Sequence, residues 1–394
     1  MSTLGIYIQV PFCRSKCSFC NFSSRVEPQS IFDAYTRSLQ LELEGWQGFA
    51  AARGIPRDVL LLPLDSIYIG GGTPTLLGEE RLGAVVRALR GYLRWGKDVE
   101  FTLETTPGSA DAQLLRALQA LGVNRLSMGV QTFDDRELRA VGRLHRARDS
   151  ALLVQQAREA GFGNISLDLI AGLPYQTEES FRRSLETALK LRPEQVSLYI
   201  FEVDEKSRLG REVAGGGHRY HAEAVPGDDF MADMYETGCA TLAGAGYVQY
   251  EISNFALPGL DSRHNRRYWQ LAPYLGLGAG AHSFDGASRW SNPVNVREYM
   301  SRIEAGENPI DEFRTLTPDE QVEEFFFLGL RQTEGVNLEQ ARERWGTRCL
   351  KPWEEKIQNL APEGWMIREG NHVRLAPCAY LVSNEVFQEF VAVR

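Results

Sequence analysis

The first 200 residues alternate between short apolar runs and longer stretches in which apolar residues recur every three or four positions. The short runs are rich in Ile, Val, Leu and Tyr and have turn residues nearby, a pattern that predicts strands rather than helices. The chain contains six such predicted strands, at residues 5–10, 66–70, 99–104, 125–130, 164–169 and 196–201.

The longer stretches predict amphipathic helices between these strands. In the first, apolar residues recur from 31 to 46, and Ser30 is expected to be its N-cap. A second stops at Gly122, a natural residue for a helix end. A third begins near Thr177 and ends before Pro193.

Six strand–helix units in series predict an α/β fold with a parallel sheet and right-handed crossovers. Because six units are too few for a closed eight-unit barrel, we expect a partial (β/α)6 TIM-like barrel, open on one side, in residues 1–285. In such a sheet, reacting groups gather at the carboxyl edge of the strands.

The pattern changes after about residue 285, where helices are predicted at 318–332, 338–346 and 351–361 and a hairpin follows around Gly370. This order predicts a mainly helical, winged-helix-like domain in residues 286–394. Residues 311–394 carry 10 basic and 15 acidic side chains, a net charge of −5 that argues against DNA binding. We therefore expect a packing or lid domain.

Charge and hydropathy exclude further classes. The formal net charge of −9 is unfavourable for binding a polyanion, so no nucleic-acid partner is expected. The chain lacks an apolar run of about 20 residues, the length that a membrane span needs. Its first residues also lack the pattern of a secretory signal, and we therefore expect a cytoplasmic protein.

Three of the six cysteines, Cys13, Cys17 and Cys20, follow the first predicted strand with C-x3-C-x2-C spacing. Three thiolates so close in sequence can converge on one soft metal centre, either iron–sulfur or zinc. A structural zinc ion needs a fourth protein ligand, and the nearest histidine in sequence is His145. Zinc with a distant ligand and unreactive thiols remain alternatives, but a [4Fe-4S] cluster with one open iron is favoured.

With Phe19 just before the last cysteine, this loop resembles the signature of the radical S-adenosylmethionine (SAM) superfamily. The resemblance implies that SAM chelates the open iron and is cleaved to a 5′-deoxyadenosyl radical. Polar residues also occur at the ends of later strands, where burial is costly unless they meet a partner or a ligand. Ordinary structural hydrogen bonds are the alternative. The resemblance implies contacts with SAM for Tyr7, Phe19, Gly72, Thr73, Glu104, Gln131, Arg143 and Asp168.

Further segments, at 129–133, 142–145, 168–174, 250–255 and 274–283, resemble the oxygen-independent coproporphyrinogen III oxidase family. That family has an oxidase branch and a haem-chaperone, HemW-like branch. The oxidases carry a further cysteine two positions after the third cluster cysteine, where this chain has Phe22, and a longer segment ahead of the signature than the 12 residues before Cys13. Both differences argue against porphyrinogen decarboxylation.

The stretch His264-Asn265-Arg266-Arg267-Tyr268-Trp269 is similar to the H-N-x-x-Y-W pattern proposed to bind haem in that branch. A neutral imidazole is a good iron ligand, and aromatic rings offer flat surfaces to a porphyrin. His264 is therefore the predicted haem contact. The alternative is a buried His–Tyr–Trp packing cluster.

We thus expect a haem chaperone with a [4Fe-4S] cluster, exchangeable SAM and haem as cofactors. Its expected partners are haem, a haem-acceptor protein and, if SAM is cleaved, an electron donor. One alternative is an enzyme, namely an oxygen-independent coproporphyrinogen III oxidase or another radical SAM enzyme. A second is a non-catalytic interaction module in which the cluster is structural.

Overall fold

The computed structural model describes residues 3–55, 59 and 61–391. Its strands are β1 Leu4–Val10, β2 Leu64–Gly71, β3 Trp95–Thr105, β4 Arg125–Gln131, β5 Asn164–Ala171, β6 Gln195–Ile200, β7 Val248–Glu251, β8 Asn254–Ala256, β9 Tyr274–Leu277, β10 His282–Phe284, β11 Ser288–Ser291, β12 Glu312–Thr315, β13 Val336–Asn337, β14 Met366–Glu369 and β15 His372–Leu375.

The α-helices are α1 Phe32–Ala52, α2 Gly78–Tyr92, α3 Ala112–Leu121, α4 Asp135–Ala140, α5 Ala147–Glu159, α6 Glu178–Lys190, α7 Arg208–Ala214, α8 Asp228–Gly244, α9 Arg263–Trp269, α10 Val296–Glu304, α11 Pro318–Gly329, α12 Leu338–Trp345, α13 Thr347–Leu360 and α14 Ser383–Gln388. Short 3₁₀ turns lie at Gln29–Ile31, Pro74–Leu77, Arg219–Ala224 and Pro377–Ala379.

One twelve-stranded sheet has the order β12-β11-β10-β9-β1-β2-β3-β4-β5-β6-β8-β7. The strands from β9 to β6 run parallel, and antiparallel strands extend the sheet on both sides. Within the described residues, the two edge strands β12 and β7 each pair with one neighbour, so the sheet does not close. The predicted partial α/β barrel and its six strands are confirmed.

A seventh parallel strand, β9, pairs with the opposite side of β1 and was not predicted. Its four residues and the short antiparallel strands beyond it are too brief to show a hydrophobic period. The central parallel strands are buried on both faces, as β1 illustrates, because helices cover one face and the other encloses the interior of the barrel.

The predicted helix boundaries are confirmed at Gly122, which ends α3 with a left-handed φ of 99°, and at Thr177, which caps α6 by accepting a hydrogen bond from the Ser180 N–H. The prediction of Ser30 as the N-cap of the first helix is wrong. Ser30 lies inside the 3₁₀ turn Gln29–Ile31, and α1 begins only at Phe32, because Pro28 starts a tighter turn that leads into the helix.

The predicted winged-helix-like arrangement is confirmed. Helices α11, α12 and α13 are followed by the hairpin β14–β15, and β13 completes a small sheet with the order β13-β15-β14. However, β11 and β12 lie beyond residue 285 and still belong to the large sheet. The division of the chain at residue 285 therefore stays a prediction.

Across the described residues, none of the helices combines the length and the apolar character that crossing a bilayer would require.

Candidate functional site

A cavity of about 620 Å³ lies against the inner faces of β2 to β6. It reaches from the loop that follows β1 to Arg125, the first residue of β4. Gln131, the last residue of β4, also lines it. Because the two are six residues apart on a strand with a rise of about 3.3 Å per residue, the cavity extends for about 20 Å along the barrel.

The three cysteines of the loop after β1 all line this cavity and carry free thiols. The loop is fixed at both ends by backbone hydrogen bonds. The N–H of Cys13 donates to the carbonyl of Arg25 at 2.9 Å, and the N–H of Ser18 donates to the carbonyl of Val141 at 3.1 Å. The arrangement therefore presents Cys13, Cys17 and Cys20 together at the carboxyl edge, as the sequence predicted.

The glycine run after β2 packs directly against this loop. The N–H of Thr73 donates to the carbonyl of Phe12 at 2.7 Å, and the N–H of Gly72 donates to that of Val10 at 2.8 Å. A Cβ atom on Gly72 would lie 2.5 Å from the carbonyl oxygen of Phe12, which is backbone and cannot move aside. Glycine is therefore required here for close contact between the two loops.

Two carboxyl groups, Glu104 and Asp168, face the cavity from β3 and β5. Glu104 accepts hydrogen bonds from the Tyr68 hydroxyl at 2.9 Å and from the Gly71 N–H at 2.8 Å. Burial raises the pKa of Glu104. Burial, and then the nearby Glu104 carboxylate, raises the pKa of Asp168 to about 7.

Arg143 brings a cation to the same edge. Its Nη1 lies 3.6 Å from the Cys17 sulfur, its Nη2 donates to the carbonyl of Gly129, and its Nε has no partner among the described residues. Gln131 lines the cavity with a φ of 72°, which is unfavourable for a residue with a side chain, and β4 has a register shift against β5 at this point. Such strain is characteristic of functional sites.

The structure brings together ten of the twelve predicted site residues, all of which line the cavity: Cys13, Cys17, Phe19, Cys20, Gly72, Thr73, Glu104, Gln131, Arg143 and Asp168. Tyr7 and His264 lie outside its lining. The Tyr7 hydroxyl donates to Gln9 at 2.7 Å, and its ring stacks on that of Tyr68 with 6.0 Å between ring centroids.

His264 lies fully buried in α9, at the amino-terminal ends of β1 to β3. Its Nδ1 is 3.1 Å from the Ser66 hydroxyl and its Nε2 is 2.9 Å from the Tyr268 hydroxyl, so both ring nitrogens have partners. Burial, and then the charge of Arg267, lowers the pKa of His264 to about 3, which keeps the ring neutral. In this structure His264 therefore belongs to a buried packing cluster, which was the alternative interpretation of the motif. Haem contact at His264 stays a prediction.

Among the cavity residues that sequence reasoning missed are His145, Arg125 and Arg331. His145 is buried, and neither ring nitrogen makes a hydrogen bond of ordinary geometry in the described part of the chain, although the Val130 carbonyl lies near enough to raise its pKa. Burial, and then the charge of Arg143, lowers its pKa to about 4, so the ring is neutral. Arg125 is the first residue of β4 and the one charged residue in that strand, a signal that could have been noticed. Arg331 carries no local signal.

Several buried polar atoms around the cysteine loop have no partner within the described residues, namely the Ser18 Oγ, the Arg143 Nε and both ring nitrogens of His145. Buried polar atoms normally have a hydrogen-bond partner, and here several without one lie beside three free thiols. This arrangement is compatible with a polar cofactor bound at the cysteine loop. No three His, Cys, Asp or Glu side chains of the described chain converge on a single ion. A cluster does not require that, because each thiolate binds a different iron.

Comparisons with known proteins agree with this geometry. Residues 7–188 match the model of the radical SAM superfamily, and residues 316–382 match that of the HemN C-terminal domain. The haem chaperone HemW of Bacillus subtilis (strain 168) is 37% identical over 386 residues, which is 98% of each chain. The chain belongs to the HemW family of radical SAM proteins. The HemW of Lactococcus lactis subsp. lactis (strain IL1403) is 33% identical and covers 98% of this chain and 96% of its own.

The fold of this family member is also similar to a solved structure outside the HemW relatives. Coproporphyrinogen III oxidase (HemN) from Escherichia coli, a radical SAM enzyme, superimposes with a TM-score of 0.84 over 99% of this chain and 90% of its own. Sequence identity is 24%, so this likeness establishes the shared fold alone.

The raised pKa of Asp168 predicts a specific dependence of stability on pH. Its value is 3.8 when unperturbed and about 7 in the fold, so its contribution to stability is full below 3.8 and is lost as the pH rises through 7. From about pH 5.5 to about pH 8, the free energy of unfolding should therefore fall by about 1–2 kcal/mol more in the wild type than in Asp168→Asn. Urea denaturation at both pH values measures this difference.

The exposed residue Asp229 in α8 provides the control, because Asp229→Asn removes an acid that faces solvent and should follow the wild type. Identical pH dependence in the wild type and Asp168→Asn would contradict a raised pKa at Asp168.

Proposed function

We propose that the protein is a haem chaperone that binds haem and transfers it to an acceptor protein. The observation that carries the proposal is 37% identity to a HemW over 98% of both chains, since similarity of this extent includes the barrel, the cysteine loop and the C-terminal region together. The acceptor protein is unidentified, and we propose that transfer takes place in the cytoplasm.

Three thiols grouped at the cavity, with unpaired polar atoms around them, support a [4Fe-4S] cluster held by Cys13, Cys17 and Cys20. When bound, the cluster supplies one-electron chemistry to SAM at its open iron. Phe22 is 67% exposed beside this loop, so the position at which the oxidases carry a further cysteine holds a surface side chain in this protein.

The same cavity has charges that suit SAM, which carries an ammonium, a sulfonium and a carboxylate. The Glu104 and Asp168 carboxyls can balance the positive groups, and Arg143 can pair with the carboxylate. Gly72 and Thr73 bring backbone close to the cysteine loop, where a small chelating ligand would lie. We propose the remaining predicted contacts, Tyr7, Phe19 and Gln131, on the resemblance to the radical SAM family.

Haem contact at His264 is also proposed on resemblance. In this structure iron ligation there would require the hydrogen bond to Ser66 or the one to Tyr268 to break and the ring to leave its buried position. The proposal of a haem chaperone does not depend on this residue, because the family similarity extends over the whole chain.

The test uses the full chain reconstituted anaerobically with iron and sulfide. Haem is titrated into it and followed by the Soret band, and the complex is then mixed with apomyoglobin as a probe acceptor. In parallel, the protein is incubated with coproporphyrinogen III, SAM and dithionite. We expect saturable haem binding, transfer to apomyoglobin and no porphyrinogen decarboxylation. Stoichiometric vinyl formation would identify an oxidase instead, and absence of haem binding would contradict the chaperone.

A further inference from the structure

The end of the cavity remote from the cysteine loop has no role in the site described so far. It is formed by Arg125 and Gln195, the first residues of β4 and β6, together with Asn265 of α9 and Arg331. Along β4 this end lies about 20 Å from Gln131, which lines the cysteine end. The cavity is therefore long enough to bring one ligand into contact with two separate sets of side chains.

Arg125 is a buried cation without a carboxylate partner. Only 1% of the residue is exposed, its Nη2 donates to the amide oxygen of Gln195 at 2.8 Å, and its Nη1 donates to the Thr102 hydroxyl at 3.3 Å. Both partners are neutral, the Nε has no partner, and none of the ion pairs among the described residues includes Arg125. A buried charge in this condition is unfavourable unless an anion compensates it.

Arg331, which follows α11, provides a second guanidinium at the same end. It lies over the ring of Trp269 at 4.6 Å and near that of Phe387 at 5.9 Å, and its backbone carbonyl accepts from the Ile252 N–H at 3.1 Å. Stacking fixes the plane of the group and leaves its donors free. Within the described chain its Nε has no hydrogen-bond partner, and neither has the indole N–H of Trp269.

The neighbouring acids do not neutralise these two arginines through direct pairs. The Glu251 carboxylate accepts hydrogen bonds from the backbone N–H of Ser253 and from the side-chain amide of Asn254. Burial raises the pKa of Glu251, and the charge of Arg331 lowers it. Burial also raises the pKa values of Glu104 and Asp168, and Arg125 lowers both through space without a direct ion pair. The two guanidiniums therefore line this end of the cavity without a direct ion pair, and the Nε–H of each lacks an acceptor among the described residues.

We propose that Arg125 and Arg331 form a carboxylate-binding subsite at the end of the cavity opposite the cysteine loop, and that its ligand is an acid side chain of haem. The nature of the ligand rests on the proposed function, whereas the subsite rests on the two guanidiniums and the unpaired donors around them. Guanidinium groups bind carboxylates through paired N–H donors, a geometry that lysine cannot reproduce. The subsite orients the porphyrin so that its opposite edge points toward the cysteine loop.

The experiment compares haem with haem dimethyl ester, in which both acid groups are neutral, by Soret titration of the full chain. The wild type should bind free-acid haem at least about ten-fold more tightly than the ester, since bidentate arginine–carboxylate pairs are among the stronger hydrogen-bonded contacts. Arg331→Gln should lose most of this preference, and Arg331→Lys should retain only part of it.

Arg344→Gln is the matched control, because Arg344 also lies 4.6 Å over a tryptophan ring, that of Trp345, but does not line the cavity. It should keep the wild-type preference. A wild type that binds both porphyrins equally, or an Arg331→Gln that keeps the full preference, would overturn the subsite alone. A wild type that binds neither porphyrin would contradict the proposed function and, with it, haem as the ligand.

Discussion

Cys17→Ala is expected to remove the iron–sulfur cluster from the protein. The two remaining thiols, Cys13 and Cys20, cannot hold a cubane that already leaves one iron without a protein ligand. Cys17 also lies 3.6 Å from Arg143, so its loss removes the contact that joins the cluster loop to that guanidinium. After anaerobic reconstitution, the iron and sulfide content should fall below about one-tenth of the wild-type value.

Cys239→Ala is the matched control. Cys239 lies in α8, does not line the cavity and is distant along the chain from the cysteine loop. This variant should keep a full cluster and the change in its EPR spectrum on addition of SAM. Mössbauer and EPR spectra of the wild type decide the identity of the centre. Zinc alone, or full iron content in Cys17→Ala, would contradict the assignment.

The cysteine end of the site could be predicted from sequence because its residues lie close together along the chain. Cys13, Cys17 and Cys20 span eight residues after one strand, and Glu104 and Asp168 belong to strands whose apolar pattern is clear. In a parallel sheet, strand order alone then brings these side chains to the same edge. The opposite end depends on contacts between distant segments, such as Arg331 with Trp269, which no local pattern encodes.

His264 shows where sequence pattern was insufficient. A histidine followed by Tyr268 and Trp269 is compatible both with haem binding and with packing in the core. The two interpretations differ only in the orientation of α9, which the sequence pattern does not give. In the structure, Glu100 of β3 accepts hydrogen bonds from the N–H groups of Arg263 and His264 at 3.0 Å each, which fixes the start of this helix below the barrel. The His264 ring therefore packs against the rings of Tyr7 and Tyr68, while Asn265 lines the cavity.

Arg267→Met is expected to destabilise the barrel strongly, because Arg267 is the main polar link between α9 and the first two strands. Its Nη1 donates to the carbonyls of Thr3 at 3.0 Å and Pro273 at 2.9 Å, and its Nη2 forms an ion pair with Asp65. A Cβ atom on Gly5 would lie 2.4 Å from its side chain, so β1 is shaped to accept it.

Methionine fills a similar volume but leaves the Asp65 carboxylate without its cation and removes one donor from the carbonyls of Thr3 and Pro273. The Pro273 carbonyl still accepts from the Gly5 N–H, and Asp65 still accepts from the Thr3 hydroxyl. Breaking a buried ion pair from one side costs about 3–5 kcal/mol, and about 3 kcal/mol is expected here because Asp65 is one-third exposed. The control is Arg263→Met in the same helix, where the pair with Asp98 is largely exposed and should contribute less than about 1 kcal/mol. Urea unfolding of the two variants beside the wild type measures both free energies.

This result decides how a loss of haem binding in His264→Ala is interpreted. If Arg267→Met is as destabilising as expected, α9 stabilises the base of the barrel. A weaker Soret band in His264→Ala then counts as loss of a ligand only if that variant is shown to be folded. If Arg267→Met unfolds at the same urea concentration as Arg263→Met, the helix is not a structural support. A weaker Soret band in His264→Ala then counts as loss of a ligand, because destabilisation through α9 no longer accounts for it.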